Sequence, residues 1–131
     1  MKHLILTSAV VLSFIHLEHS AKAAPTHLGQ CPEPGSLYEQ TVDITVPPLT
    51  FELDAPSFEK GDPGHFTFLK AVFSQPSYRQ VICYYKGFDQ VLKIVTTIPK
   101  GYNFTSCTLG GNTSMKPCTK SAHECSISCG Q

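Results

Sequence analysis

Three consecutive strands joined by two short turns are predicted by HFTFLKAVFSQPSYRQVICYYKGFDQVLKIVTTI, residues 65–98. Apolar side chains alternate along the first run, with a one-residue slip between Phe68 and Leu69 that suits a β-bulge in an antiparallel pair. The second run, Tyr78–Lys86, is apolar on both parities, which predicts the central strand of a sheet, covered on both faces. In the third run the even positions from 92 to 98 form one mostly apolar face.

Two shorter strands are predicted before this stretch. Residues 36–46 alternate between apolar and polar side chains until Pro47-Pro48 ends the run, and Leu49–Leu53 repeats the alternation. No window beyond residue 23 has a clean helical apolar period, and ten prolines also argue against helices. About five strands with frequent turns predict an all-β fold, either a small antiparallel β-sandwich or an open barrel.

The N-terminus has the three parts of a secretory signal peptide. A basic start at Lys2 and His3 precedes an apolar run from Leu4 to Leu17, and Ala21-Lys22-Ala23 offers an A-x-A cleavage site. The apolar run is shorter than the roughly 20 residues that span a bilayer. We therefore expect that residues 1–23 are cleaved, that the protein is secreted or periplasmic, and that the mature chain has no membrane span.

The remaining residues predict one small domain in three segments. These are an extended leader rich in Pro and Gly at 24–35, the β domain at 36–98 and a cysteine-rich tail at 99–131, which has so few apolar side chains that we expect cross-links to hold it. An even number of cysteines in a small exported chain predicts three disulfides, although their spacing does not choose the pairing. The six are Cys31, Cys83, Cys107, Cys118, Cys125 and Cys129.

Metal binding and catalysis are less favoured by the sequence. The tail has enough thiolate and imidazole groups for zinc, but only Cys125 and Cys129 have the spacing of a zinc knuckle. We expect no metal and no cofactor. A catalytic cysteine would need a reduced thiol beside a His base, and a catalytic serine lacks its G-x-S-x-G turn. An acid pair for hydrolysis is available if Asp43 and Glu52 face each other across the first hairpin.

Charge and aromatic content restrict the classes of partner. Ten Lys and Arg balance ten Asp and Glu, so bulk electrostatics predict neither nucleic-acid binding nor attraction to an anionic membrane. Aromatic residues cluster around 65–98, where they either build the core or form a ligand platform. Tyr78, Tyr85 and Tyr102 are the ones most expected to face solvent, and they are the candidate binding residues. Asn103 and Asn112 begin sequons that would carry glycans only in a glycosylating host.

A family resemblance rests on two motifs. Cys31-Pro32 is followed about fifty residues later by Val81-Ile82-Cys83-Tyr84-Tyr85. Over residues 30–98 this pattern resembles small secreted bacterial domains of unknown function, in which an early Cys-Pro precedes a C-Y-Y-like strand. The resemblance implies a β-rich exported domain with a Cys31–Cys83 bridge, and it implies no activity. The tail is not part of it, so the four tail cysteines are expected to pair among themselves.

Three functions are compatible with these features. The first is a secreted, monomeric, non-catalytic binding protein that acts through its β-sheet surface on an unknown protein or glycan. The second is a disulfide-stabilised inhibitor or effector of a host or competitor protein, with the tail loop at 109–117 inserted into a cleft of its partner. The third is a small secreted hydrolase, which would require turnover that depends on an acid such as Asp43 or Glu52.

Overall fold

A computed structural model of the chain describes residues 24–37, 44–53, 66–87, 90–112 and 115–131. The predicted signal peptide and most of the predicted strand at 36–46 lie outside these residues. Eight strands are described, together with a single 3₁₀ turn at Pro34–Ser36. The strands are β1 (Thr26–Gln30), β2 (Ile44–Val46), β3 (Leu49–Leu53), β4 (Thr67–Phe73), β5 (Gln80–Gly87), β6 (Gln90–Thr97), β7 (Asn103–Leu109) and β8 (Ser126–Gly130). They form two antiparallel sheets, which confirms the predicted all-β fold.

The larger sheet contains the strands predicted from residues 65–98. Its order is β2-β3-β6-β5-β4. The pairing of β4 with β5 shifts register between Phe68 and Lys70, so the predicted β-bulge is confirmed. The central strand is β6 rather than β5, and the prediction that Tyr78–Lys86 is central is wrong. The predicted cover on both faces is also not found among the described residues, because Val81, Cys83 and Tyr85 are buried whereas Ile82 and Tyr84 are only half-buried on the other side. Apolar side chains on both parities therefore did not report the place of this strand in the sheet.

The smaller sheet joins the predicted leader to the predicted tail. Its order is β1-β8-β7, with β1 from the leader and the other two strands from the tail. The tail strands contribute five buried side chains to the core: Phe104, Cys107, Leu109, Ile127 and Cys129. Two of these are half-cystines, which pack as small apolar groups. The tail therefore packs as a sheet with a buried face, which its low content of aliphatic residues did not predict.

The two sheets pack face to face around one core, to which both contribute buried side chains. β1 lies over β3 so closely that a Cβ atom added to Gly29 would come within 3.1 Å of Leu49 Cδ1. At the other side, Phe73 of β4 and Phe104 of β7 meet edge to face, with ring centroids 5.6 Å apart. The architecture is thus a β-sandwich. The even residues from 92 to 96 are buried on the inward side of β6, and Ile98, directly after the strand, is buried too, as predicted.

All six cysteines form disulfides, namely Cys31–Cys83, Cys107–Cys129 and Cys118–Cys125. The first ties the segment after β1 to β5, the second joins β7 to β8, and the third closes the connection that leads into β8. The prediction of disulfide bonds is confirmed, and three of them indicate an oxidising, extracellular environment. Among the residues described here, none belongs to a helix long and apolar enough to cross a membrane.

The tail also covers part of an edge of the larger sheet. The amide of Ala71 on the edge strand β4 donates to the carbonyl of Cys118, and the amide of Cys118 donates to the carbonyl of Ala71, both at 2.9 Å. An unpaired strand edge is a template for association with another chain, and a covering segment blocks it. This stretch of the β4 edge is therefore already paired within the chain.

Candidate functional site

The side chains of β5 define which face of the larger sheet points away from the core. Val81, Cys83 and Tyr85 are buried against the smaller sheet, whereas Ile82 and Tyr84 are half-buried on the opposite side. Successive residues of a strand point to opposite faces, so this division continues onto the neighbouring strands. We term the side that carries Ile82 and Tyr84 the outer face.

An apolar strip crosses the outer face. Val72 on β4 pairs with Ile82 on β5, and Ile82 pairs with Val95 on β6. All three side chains are half-buried. Directly opposed residues on one face have Cβ atoms about 5 Å apart, so the three form one continuous contact surface. We term Val72, Ile82 and Val95 the apolar row.

Beside the apolar row lies a tyrosine between two lysines. Tyr84 pairs directly with Lys70 on one neighbouring strand and with Lys93 on the other. The Nζ atoms lie over the Tyr84 ring, 5.2 Å from its centroid for Lys70 and 5.6 Å for Lys93. A cation held over an aromatic ring at an exposed site contributes about 0.5–1 kcal/mol. We term these three residues the Lys-Tyr-Lys cluster, and its cation-π contacts restrain both long side chains.

The outer face carries more positive than negative charge. Lys86, on the same parity of β5 as Tyr84, is exposed like Lys70 and Lys93. The negative charge on this face is Glu52 on β3, which is exposed and pairs with Val95 at the end of the apolar row. Within the described part of the chain no ion pair neutralises the three lysines. Counted over the described residues, the outer face is therefore cationic, although the net charge of the whole chain is zero.

Tyr85, one of the three candidate binding residues, does not lie on this surface. Its side chain is 0 % exposed and its hydroxyl donates a hydrogen bond to the carbonyl of Pro32. Burial raises the pKa of Tyr85 well above its usual value, and the nearby Glu33 carboxylate adds to this effect. The expectation that Tyr85 faces solvent is wrong, because it shares a parity with Cys83, whose disulfide lies in the core.

The other two candidates lie at one end of the sandwich. Tyr78, in the turn between β4 and β5, is 62 % exposed, and Tyr102, between β6 and β7, is half-buried. Arg79 joins these two segments, because its Nη2 atom donates to the carbonyls of Pro99 at 3.0 Å and Tyr102 at 2.9 Å. The structure thus places Tyr78 and Tyr102 on segments that meet, away from the outer face, and their role in binding stays a prediction.

The remaining candidate residues are dispersed. Asp43 lies outside the described residues, so the proposed acid pair is represented only by the exposed Glu52. His123 Nδ1 lies 3.1 Å from Gln30 Oε1, which connects the tail to β1 at the surface. For the described ranges, no group of three or more His, Cys, Asp or Glu side chains is placed to hold a metal ion. The loop at 109–117 is described except for residues 113 and 114.

The residues of the outer face were missed by the sequence reasoning, although a signal existed. Along β5, Tyr84 has the parity of Gln80 and Lys86, two polar residues that mark the solvent side. Tyr85 has the parity of Cys83, which was already expected to form a disulfide. The polar residues at the two ends of the even-numbered positions indicate that this side of β5 faces solvent. Using them, rather than apolar content alone, would have selected Tyr84.

Comparison with protein-family models, curated proteins and solved structures gives no match. The resemblance of residues 30–98 to small secreted bacterial domains therefore stays a prediction. The function has to be inferred from the surface chemistry of this chain, and the outer face is a described surface on which apolar, aromatic and cationic side chains occur together.

Proposed function

We propose that this protein is a secreted, non-catalytic binding protein that holds its partner on the outer face of the larger sheet. The observation that carries the proposal is the position of the apolar row beside the Lys-Tyr-Lys cluster. Protein-binding surfaces combine an apolar centre with a polar rim and are enriched in tyrosine. The outer face has this composition across three adjacent strands.

The scaffold beneath the outer face is suited to rigid recognition. Directly under it, the inward side chains of β5 and β6 are buried, and Cys83 is covalently tied to Cys31. A binding surface built on strands of a packed sheet keeps its geometry better than one built on loops. Little conformational entropy is then lost when a partner docks, because the surface is already ordered.

Secretion is supported by two independent features. The N-terminal residues have the composition of a signal peptide, and the three disulfides require an oxidising compartment. Expression of the full chain followed by mass spectrometry of the exported product tests this part. We expect a mature chain that begins at Ala24 with all six cysteines oxidised. A product that stays inside the cell with residues 1–23 attached would contradict secretion.

The binding function is tested by selecting ligands on the mature protein without bias. A random-peptide phage library and a glycan array provide identified ligands, which are then measured against Tyr84→Ala and Ile82→Asp. We expect each change to weaken binding by about tenfold or more, as truncation at the centre of an interface does. Lys100→Ala is the control, since it removes an exposed side chain that follows β6 and belongs neither to the outer face nor to the candidate binding residues.

The same experiment distinguishes the alternatives. Ligands that tolerate both outer-face changes but are lost on Lys116→Glu would identify the 109–117 loop, as the inhibitor hypothesis requires. Deletion of the tail after Gly101 is unsuitable for this purpose, because it would remove β7 and β8 together with their part of the core. Release of product from a selected glycan or peptide would instead establish a hydrolase and contradict the proposal.

A further inference from the structure

We infer that the partner of the outer face is an acidic protein segment, whose carboxylates meet the Lys-Tyr-Lys cluster while its apolar side chains cover the apolar row. This inference rests on the proposed function and adds the chemical class of the ligand. It follows from three features of the outer face: the sign of its charge, the spacing of its lysines and its apolar content.

The charge selects an anionic partner. Lys70, Lys86 and Lys93 are exposed on one face and are opposed there by Glu52 alone among the described residues. Complementary charge steers association and rejects partners of like charge, even where each exposed pair adds little affinity. A cationic partner would place its ammonium groups against three others, whereas an anionic partner is attracted by all three.

Two of the lysines place their ammonium groups over one tyrosine ring, where carboxylates of a single short segment can reach both. Lys70 and Lys93 lie on the strands to either side of Tyr84. Neighbouring strands are about 4.8 Å apart, so the two lysine backbones are separated by roughly 10 Å. Each ammonium is already held over the Tyr84 ring, so its side chain loses less conformational entropy when a partner binds it.

The apolar row favours an acidic protein segment over a sulfated glycan. Val72, Ile82 and Val95 form a continuous apolar strip beside the lysines. A sulfated glycan has a polar backbone and no apolar side chains to place there, whereas a protein segment presents both classes of group at fixed spacing. Covering the strip removes apolar surface from water, which contributes favourably to the free energy of binding. A polysaccharide without apolar side chains would lack this contribution.

The experiment uses defined probes and the mature protein. Isotope-labelled protein is titrated, at low and at physiological salt, with a short peptide of Ser-Glu-Ser-Val repeats, whose Glu and Val side chains share one face when it is extended (the Glu-Val peptide). The other two probes are the same peptide with Gln in place of Glu (the Gln-Val peptide) and a heparin oligosaccharide. Amide shifts in the NMR spectrum locate the contact, and the titration gives the affinity. The variant is Lys70→Glu/Lys93→Glu, and the matched control is Lys100→Glu, an exposed lysine that follows β6.

We expect the Glu-Val peptide to bind about tenfold more tightly than the Gln-Val peptide at low salt, with a smaller difference at physiological salt because exposed charges are screened. Shifts should centre on Ile82, Tyr84 and Val95. The double charge reversal should abolish the preference for the acidic peptide, and Lys100→Glu should preserve it. Unchanged dispersion of the NMR spectrum in both variants shows that they are folded.

Other results would overturn the inference in recognisable ways. Equal binding of the two peptides at the outer face would refute the acidic class while leaving the proposed function intact. Strong binding of heparin at the outer face without binding of the Glu-Val peptide would assign the surface to a glycan. Shifts confined to the Tyr78 and Tyr102 end, or to the 109–117 loop, would refute the proposed function itself. Failure of every probe to bind would also refute the acidic class.

Discussion

The hydroxyl of Tyr85 donates a hydrogen bond to the backbone carbonyl of Pro32, which lies 53 residues earlier in the chain. The preceding residue, Cys31, is bonded to Cys83 on the same side of β5. Two consecutive residues after β1 are therefore attached to two positions on one face of β5, once covalently and once by a buried hydrogen bond. This double attachment fastens the leader to the larger sheet and turns the opposite side of β5, with Tyr84, outward.

Replacing Tyr85 with Phe should destabilise the protein by about 1–3 kcal/mol, because the buried carbonyl of Pro32 would lose its donor. Urea denaturation of the two proteins measures the difference in the free energy of unfolding. Tyr84→Phe is the matched control on the neighbouring position and should change stability by less than about 0.5 kcal/mol. Equal stability of Tyr85→Phe and the parent protein would show that the hydrogen bond is dispensable.

Alkaline pH should destabilise the protein through Tyr85. The pKa of this tyrosine is raised in the folded state, mainly by burial, above its ordinary value of 10.0. The stability that this group contributes is fully present below about pH 10, and it is lost as the pH rises above that value, since only the unfolded state then releases the proton. Urea midpoints measured across this range should fall, and they should fall less in Tyr85→Phe.

Absorbance titration provides the corresponding check on the folded protein. We expect one of the five tyrosines to resist ionisation until the protein unfolds. Ionisation of every tyrosine near pH 10 with the fold retained would contradict the raised pKa of Tyr85.

The disulfides should differ in their contribution to stability according to the length of chain that they close. The separations are 52 residues for Cys31–Cys83, 22 for Cys107–Cys129 and 7 for Cys118–Cys125. Loop-closure entropy predicts losses of about 4, about 3 and about 2.5 kcal/mol when each pair is replaced by alanine. Guanidinium denaturation of the three double variants gives the order, and a reversed order would show that native packing outweighs chain entropy.

Arg79 should stabilise the end of the sandwich although its backbone conformation is unfavourable. Its φ angle is 54°, and its guanidinium donates to the carbonyls of Pro99 and Tyr102. Arg79→Ala should lose about 2 kcal/mol, since hydrogen bonds to a charged group are lost while the strain remains. Arg79→Gly loses the same bonds but relieves the strain, so it should be about 1 kcal/mol more stable than Arg79→Ala. Thermal unfolding of the pair tests this ranking.

Two adjacent glycines should respond differently to the same substitution. Both have positive φ, +60° at Gly110 and +80° at Gly111. A Cβ atom at Gly110 would lie 2.8 Å from the carbonyl oxygen of Glu124 and 3.0 Å from Cys118 Sγ, whereas at Gly111 it would meet nothing within 4 Å. Gly111→Ala should cost about 1 kcal/mol of strain, and Gly110→Ala at least about 1 kcal/mol more. Equal denaturation midpoints would contradict the close packing at Gly110.

Local sequence patterns were sufficient for the parts of the fold that depend on neighbouring residues. Alternation of apolar and polar side chains predicted β3 and β6, and the slip after Phe68 predicted the bulge in β4. These features follow from the two-residue period of a strand, which any stretch of the chain displays by itself. The same alternation indicated an all-β fold, and the even number of cysteines in a small exported chain indicated disulfides.

Patterns failed where a strand depends on remote partners. β1, β7 and β8 contain few aliphatic residues, and they are strands because they pair with one another and because half-cystines complete their buried side. The central strand of the larger sheet was also mispredicted, since β6 is central only because β3 pairs along its second edge. Pairing across such sequence separations is a property of the assembled core rather than of any window of the chain.

The candidate binding surface likewise depends partly on local sequence and partly on tertiary pairing. The amino-acid composition of β5 alone indicates one side with a cysteine and another with Gln80 and Lys86. Tertiary pairing was needed to bring Lys70 and Lys93 to either side of Tyr84, because these residues come from three different strands. It also decided that Tyr85 is buried and Tyr84 is available, since the smaller sheet covers one face of the larger sheet and leaves the other uncovered among the described residues.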